Sequence, residues 1–310
     1  MKLTDEQMIR SLAFPKGDPV TGMIDVVLDT DTYNEIDDQF ALSYLMKSDD
    51  KLSLKAIYAA PFFNLHSVSP ADGMEKSYEE IHHLLELMNR EDLKSIVYKG
   101  STSYLPNERE AIDSPAAADL AARAMAYSAE SPLYVIAIGA ITNIASALLL
   151  NPEIAERIVL VWLGGHSYSW PHTEEFNMMQ DVAAARIVFG SGVPLVQLPC
   201  MGVVSACTVS GPELNYWLKG KNPLCDYLVK HTVEEAEKYE PSSCWTRAVW
   251  DITAVAWLLD ERFTQSKLVR APIPEYDFHY AYDDTRHLMR YIYHVNRDLI
   301  FEDLFQKLAK

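Results

Sequence analysis

Six short apolar runs, spaced along the first two thirds of the chain, set the limits on how it can fold. They are "IDVVLD" (24–29), "LSLKAIYAA" (52–60), "KSIVYKG" (94–100), "LYVIAIGA" (133–140), "RIVLVWLGG" (157–165) and "PLVQLPC" (194–200). A strand that is apolar at nearly every position is buried on both faces, which parallel sheets demand and one-sided antiparallel sheets do not. Helical patterns separate the runs. "MEKSYEEIHHLLELMNRED" carries apolar residues at helical spacing, and "SPAAADLAARAMAYSAE" opens with Ser114 as N-cap and Pro115 at the first helical position. This order predicts an α/β fold: one domain over residues 1–310 with a mainly parallel (mixed), open sheet and helices on both faces. Its core is expected over 24–205, followed by a mostly helical, aromatic-rich part over 206–310.

With 310 residues, half of them apolar, the chain can bury a sizeable core. Its net charge of −17 argues against a nucleic-acid partner, which is held through basic patches. Cys200, Cys207, Cys225 and Cys244 form no CxxC pair and no zinc-type cluster, so free thiols in a reducing compartment are expected. The N-terminus "MKLTDEQMIRSLAF" lacks the continuous apolar segment of a signal peptide. No apolar run is long enough to span a bilayer. The expectation is a cytoplasmic enzyme or binding protein with no membrane partner.

In open parallel sheets, ligands bind beyond the carboxyl ends of the strands. Polar residues follow four of the runs: Asp31, Asp37 and Asp38 after the first, Asn64 after the second, Thr142 and Asn143 after the fourth, Glu175 and Asn177 after the fifth. The first group is the densest. "VVLDTDTYNEIDDQFAL" places Asp29, Asp31, Glu35, Asp37 and Asp38 within ten positions of one another, directly after an apolar strand. Like charges so close to a core stay ionised only with help, through raised pKa values or a bound cation. Hard oxygen ligands favour Ca²⁺ or Mg²⁺. The plainer alternative is a solvated acidic loop complementing a helix dipole. Asp251 bears on the choice. The segment "WTRAVWDITAVAWLLDE" (245–261) reads as one helix, with Asp251 on its apolar stripe. A cation shared with Asp31 and Asp38 accounts for both oddities, and an ion pair from elsewhere in the fold is the alternative.

At these residues the sequence resembles the inosine–uridine preferring nucleoside hydrolase family. "DTDTYNEIDD" resembles the family's D-x-D…D-D signature with a longer loop, "AITNIA" its P-L-T-N-[IL]-A, "EEFN" its E-F-N, "QDVAAARIVF" its D-P-E-A-A segment, and "WDITAVAWL" its late D-x-x-A-[VL] helix. The resemblance spans residues 24 to 257. It implies Ca²⁺ held by the side chains of Asp31, Asp38 and Asp251 and by the backbone carbonyl of Thr142. It implies ribose hydroxyls held by Asp37, Asn64, Glu175 and Asn177, with Asp29 behind the metal ligands. A nucleoside is the implied substrate, and a homodimer or homotetramer the implied assembly. Asp31 would act as general base on the attacking water, and the sugar would pass through an oxocarbenium-like state.

The sequence also departs from the family. Where many members carry a proton-donating His before the late Asp, this chain has Trp250, which resembles the base-stacking Trp of purine-specific relatives and favours purine nucleosides. Tyr104, Phe63 and Tyr239 are candidates for a second stacking wall, and His166, His172 and His231 for the missing acid. "YAAPFFN" adds Phe62 and Phe63 near the sugar, and "HSYSWPHTEEFN" is short. Two rival readings stand beside the hydrolase. One is a non-catalytic or divergent binding protein for a sugar or ribosyl ligand on the same fold. The other is a haloacid-dehalogenase-type phosphatase, in which "LDTDT" supplies Asp29 as nucleophile and Asp31 as acid/base.

Overall fold

The side chains of β1 (Ile24–Thr30) divide between two cores: Ile24, Val26 and Leu28 face one, Val27 the other. In β4 (Leu133–Ala137), Tyr134 and Ile136 join the first core, and Leu133, Val135 and Ala137 the second. Neighbours in a strand point to opposite faces, so a continuously apolar run needs cover on both sides. The computed structural model, which describes residues 3–239 and 242–310, supplies that cover.

The other sheet strands are β2 (Leu52–Ala59), β3 (Val97–Lys99), β5 (Ile158–Leu163), β6 (Leu195–Leu198), β9 (Thr264–Arg270) and β12 (Leu288–Val295). Two small antiparallel pairs lie outside the sheet: β7 (Thr208–Val209) with β8 (Arg247–Ala248), and β10 (Ile273–Pro274) with β11 (Tyr280–Ala281). The first core is covered by α1 (Asp5–Ser11), α2 (Asp37–Met46), α3 (Pro70–Leu87), α8 (Gly211–Trp217), α9 (Pro223–Tyr239), α10 (Ile252–Leu259) and α11 (Arg297–Leu308). The second is covered by α4 (Pro115–Arg123), α5 (Thr142–Leu150), α6 (Phe176–Gln180) and α7 (Val182–Ser191). At the start of α4, the Ser114 side chain accepts from the Ala117 N–H, as the sequence predicts. Among the described residues no helix is long and apolar enough to cross a membrane.

The sheet order is β3-β2-β1-β4-β5-β6-β12-β9, parallel throughout except for the antiparallel edge strand β9. The chain winds outward from β1 to β3, then returns to place β4 on the other side of β1. The carboxyl ends of β1 and β4 therefore flank a topological switch point, where open α/β sheets bind ligands.

Two features go beyond the expectations. The mostly helical part after residue 205 also carries β9 and β12, which complete the sheet. Both are partly exposed, so they lack the continuous apolar run that marks a doubly buried strand. The segment 245–261 is not the one helix expected: residues 247–248 form β8, and α10 begins at Ile252. Asp251 therefore sits at the N-cap position rather than mid-helix. Every residue of α10 from Ile252 to Leu258 is buried, so this helix has no polar face against which a stripe could be defined.

Candidate active site

The loop that leaves β1 folds back on itself, with the Asn34 N–H donating to the Asp31 carbonyl at 2.7 Å. It delivers Asp37 and Asp38 to the first turn of α2, where the helix dipole favours negative charge. Thr30 Oγ1 donates to Asp38 Oδ1 at 2.5 Å, and the Trp250 N–H to Asp37 Oδ2 at 3.1 Å. The second bond ties α2 to the start of α10 and brings Asp251 alongside. Oxygens of Asp37, Asp38 and Asp251 all lie within 4.8 Å of one another. Asp31 is fully buried, and among the described residues neither of its carboxylate oxygens has a hydrogen-bond partner. Residue 139 after β4 is glycine for a local reason: a Cβ there would stand 3.1 Å from Asp31 Oδ1 and from Ala60 Cβ.

Burial and mutual repulsion push these carboxyls upward. Asp31 rises through desolvation and through the charges of Asp38, Asp37 and Asp29; Asp37 and Asp251 rise for the same two kinds of reason. Asp38 is pushed up to about 7, chiefly by burial. Asp29, buried and accepting from Asn143 Nδ2 at 2.7 Å, also reaches about 7. Three buried carboxyls in one cluster, with the charge of Asp31 and its two orphaned oxygens bearing on them, form a donor set that a hard cation would satisfy. The residues present therefore fit a divalent metal ion.

Asp37, Asp38 and Asp251 line a cavity of about 260 Å³ with Glu175, Asn177 and Trp250. Glu175 caps α6, accepting from the N–H groups of Asn177, Met178 and Gly165 at 2.8 to 2.9 Å. Asn177 Nδ2 donates to the carbonyls of Ile138 and Leu163, at 3.0 and 3.1 Å. These bonds leave its amide oxygen for the cavity. Gly165 holds the turn after β5 at φ +74°, and a Cβ on it would come within 2.3 Å of the Tyr280 hydroxyl. Gly165→Ala is expected to destabilise the fold by about 2–4 kcal/mol, from left-handed strain plus overpacking, as read by chemical denaturation.

Other predicted residues lie elsewhere. Asn64 does not line the cavity; its Nδ2 donates to Oδ1 of Asn34, which does, at 2.6 Å. The Thr142 hydroxyl donates to Asp181 at 2.7 Å, and the residue opens α5 without lining the cavity. The strand-end residue of β4 that reaches the cavity is Ile138. A contribution through backbone leaves no side-chain signal in a sequence. Phe62 is fully buried and Phe63 is half-exposed, and neither lines the cavity. Of the proposed stacking walls only Trp250 reaches it: the Tyr104 hydroxyl donates to Gln180, and Tyr239 lies half-exposed at the end of α9. His166 lines the cavity, with its ring 5.6 Å from that of His172, while His231 lies in a separate cleft. Burial and His172 hold His166 down at about 4, so at neutral pH it is an uncharged imidazole. Cys200 was legible only as a free thiol; it lines the cavity and bonds Glu175.

Comparison with known proteins decides the family. The model of the inosine-uridine preferring nucleoside hydrolases matches residues 26–291. The chain belongs to this family. Among its relatives is the pyrimidine-specific ribonucleoside hydrolase RihA of Escherichia coli (strain HS), 26% identical over 247 residues that cover 70% of this chain and 78% of the relative. Two solved structures share the fold. A plant nucleoside hydrolase superposes with a TM-score of 0.74 at 17% identity, over 92% of this chain and 99% of its own. The purine-preferring ribonucleoside hydrolase from Gardnerella vaginalis gives 0.73 at 21% identity, over 92% and 98%. This nucleoside hydrolase is thus an N-glycosidic hydrolase with a carboxylate cluster able to hold a metal ion, and the phosphatase reading falls away.

Proposed function

We propose that this protein is a Ca²⁺-dependent ribonucleoside hydrolase that favours purine nucleosides. The observation that carries the reading is Asp31, fully buried, with two oxygens unpartnered among the described residues and with its charge felt by the cluster of Asp37, Asp38 and Asp251. In this reading Asp31, Asp38 and Asp251 hold the cation. We assign the carbonyl ligand to Ile138 rather than Thr142, because Ile138 lines the cavity. When bound, the cation supplies a water of lowered pKa and a hold on the ribose hydroxyls. Asp31 takes the proton of the water whose oxygen bonds to the anomeric carbon, while the C–N bond breaks and its electron pair leaves with the base. Asp37, Glu175 and Asn177 fix the sugar, with Asn64 acting through Asn34.

Purine preference rests on Trp250, the aromatic wall that reaches the cavity from the start of α10. Stacking a base on such a ring is worth about 1–3 kcal/mol. Trp250→Ala is therefore expected to raise KM for inosine about tenfold or more, with a smaller change for uridine. The deciding assay is free ribose released from a panel of purine and pyrimidine nucleosides with calcium present. Release from uridine and cytidine alone would retain the hydrolase and overturn the purine preference. We place the enzyme in the cytoplasm, since Cys200, Cys207, Cys225 and Cys244 are all free thiols and suit a reducing compartment. A homodimer or homotetramer, as the family resemblance implies, is to be read by light scattering.

A further inference from the structure

The catalytic cavity, at about 260 Å³, falls below the roughly 300–1,000 Å³ usual for a whole small-molecule site. It suits the sugar and the part of the base stacked on Trp250 better than a complete purine nucleoside. A second cleft of about 460 Å³ opens between α2, α3 and α9, and Glu35 lines both spaces. Its floor is polar and buried. Glu80 is 7% exposed and Gln39 5%. Glu80 Oε1 accepts from the Tyr227 hydroxyl at 2.5 Å and, more loosely, from Gln39 Nε2 at 3.5 Å. The amide oxygen of Gln39 is buried with no partner. Among the described residues no hydrogen bond reaches Glu80 Oε2. The cleft thus has one open acceptor, Glu80 Oε2, on its floor and one buried acceptor without a partner, the Gln39 oxygen, next to it, and its rim carries aromatic rings, including half-exposed Tyr33. Buried acceptors left unpaired are costly, and a ligand that supplies donors to them gains specificity as well as affinity.

We propose that this cleft receives the far edge of the base, the rest of which stacks on Trp250, and that Glu80, oriented by Gln39, selects bases presenting adjacent N–H donors, as the N1–H and exocyclic amine of guanine do. The assignment rests on the ribonucleoside hydrolase reading. Burial also pushes the Glu80 carboxyl upward, against the bond from Tyr227, and donors from a ligand would favour its ionised form.

The test compares guanosine with purine riboside, which has the same ring system but no N–H on its six-membered ring. Glu80→Gln is expected to lower the ratio of kcat/KM for guanosine over purine riboside at least tenfold, because a carboxylate that accepts is replaced by an amide that also donates. Glu80→Asp, which keeps the charge but withdraws it, is expected to lower the ratio in the same direction and serves if the first variant melts early. An unchanged ratio in a folded variant overturns the assignment. If the wild-type protein cleaves neither compound, the purine preference fails by itself, and the hydrolase reading fails only if no other nucleoside is cleaved either. The cleft is then tested by calorimetric binding of the two compounds to wild type and Glu80→Gln, where equal affinity ratios overturn it.

Discussion

Asp31→Asn is expected to reduce ribose release by about a thousandfold, within the 10²–10⁴ range of a lost general base, while leaving the metal-free fold as stable or more so. The two halves of this result come from one feature. Asp31 is fully buried, its oxygens have no donors, and the charges bearing on it are those of Asp38, Asp37 and Asp29. Removing a charge from such a place relieves repulsion and desolvation, so the folded state gains. The asparagine keeps the size of the side chain against Gly139 and Ala60 but cannot take up a proton. A residue that only supported the fold would show the opposite pattern, with lower stability and nearly intact turnover per folded molecule. The measurement is single-turnover ribose release beside a thermal melt in a chelating buffer. A melt lowered by several degrees with activity within tenfold of wild type would remove Asp31 from the chemistry.

The sequence carried most of the sheet because doubly buried strands announce themselves by unbroken apolar runs. β9 and β12 were missed for the complementary reason: strands near an edge keep partly exposed residues, as the patterns of "TQSKLVR" and "LMRYIYHV" do. The same contrast runs through the site. Asp37, Asp38, Asp251, Glu175, Asn177 and Trp250 were legible because a carboxylate, amide or indole beside a strand end or helix start is a visible departure from its surroundings. Ile138 reaches the cavity as an ordinary apolar residue. Asn34 lies inside the lengthened loop, where polar residues are unremarkable. Motif position alone brings in the Thr142 carbonyl and Phe62; in the fold the Thr142 hydroxyl bonds Asp181 and Phe62 is buried. Motif spacing fixes which strand end a residue follows, but the direction of a side chain or carbonyl is set by the first turn after that strand.

Metal removal tests the cluster as a whole, and its pH dependence follows from the raised carboxyls. In the metal-free protein Asp29 and Asp38 stand at about 7, against about 3.9 for an unfolded aspartate. Between roughly pH 4 and 7 the folded chain therefore holds protons that the unfolded chain has lost, so stability falls as pH rises through that window. A divalent cation replaces those protons. At pH 8, Ca²⁺ at a hundred times its Kd is expected to stabilise the fold by about 2.7 kcal/mol, a rise in Tm of about 4 °C for a chain of 310 residues. At pH 5 protons compete for the same oxygens, and the rise should be less than half as large. Chelation at pH 8 should abolish ribose release, and Ca²⁺ should restore it better than Mg²⁺, whose smaller shell and reluctant dehydration suit a rigid carboxylate cage less well. A Tm unmoved by either cation at pH 8 would mean that the carboxyls of Asp31, Asp37, Asp38 and Asp251 are kept together by protons alone.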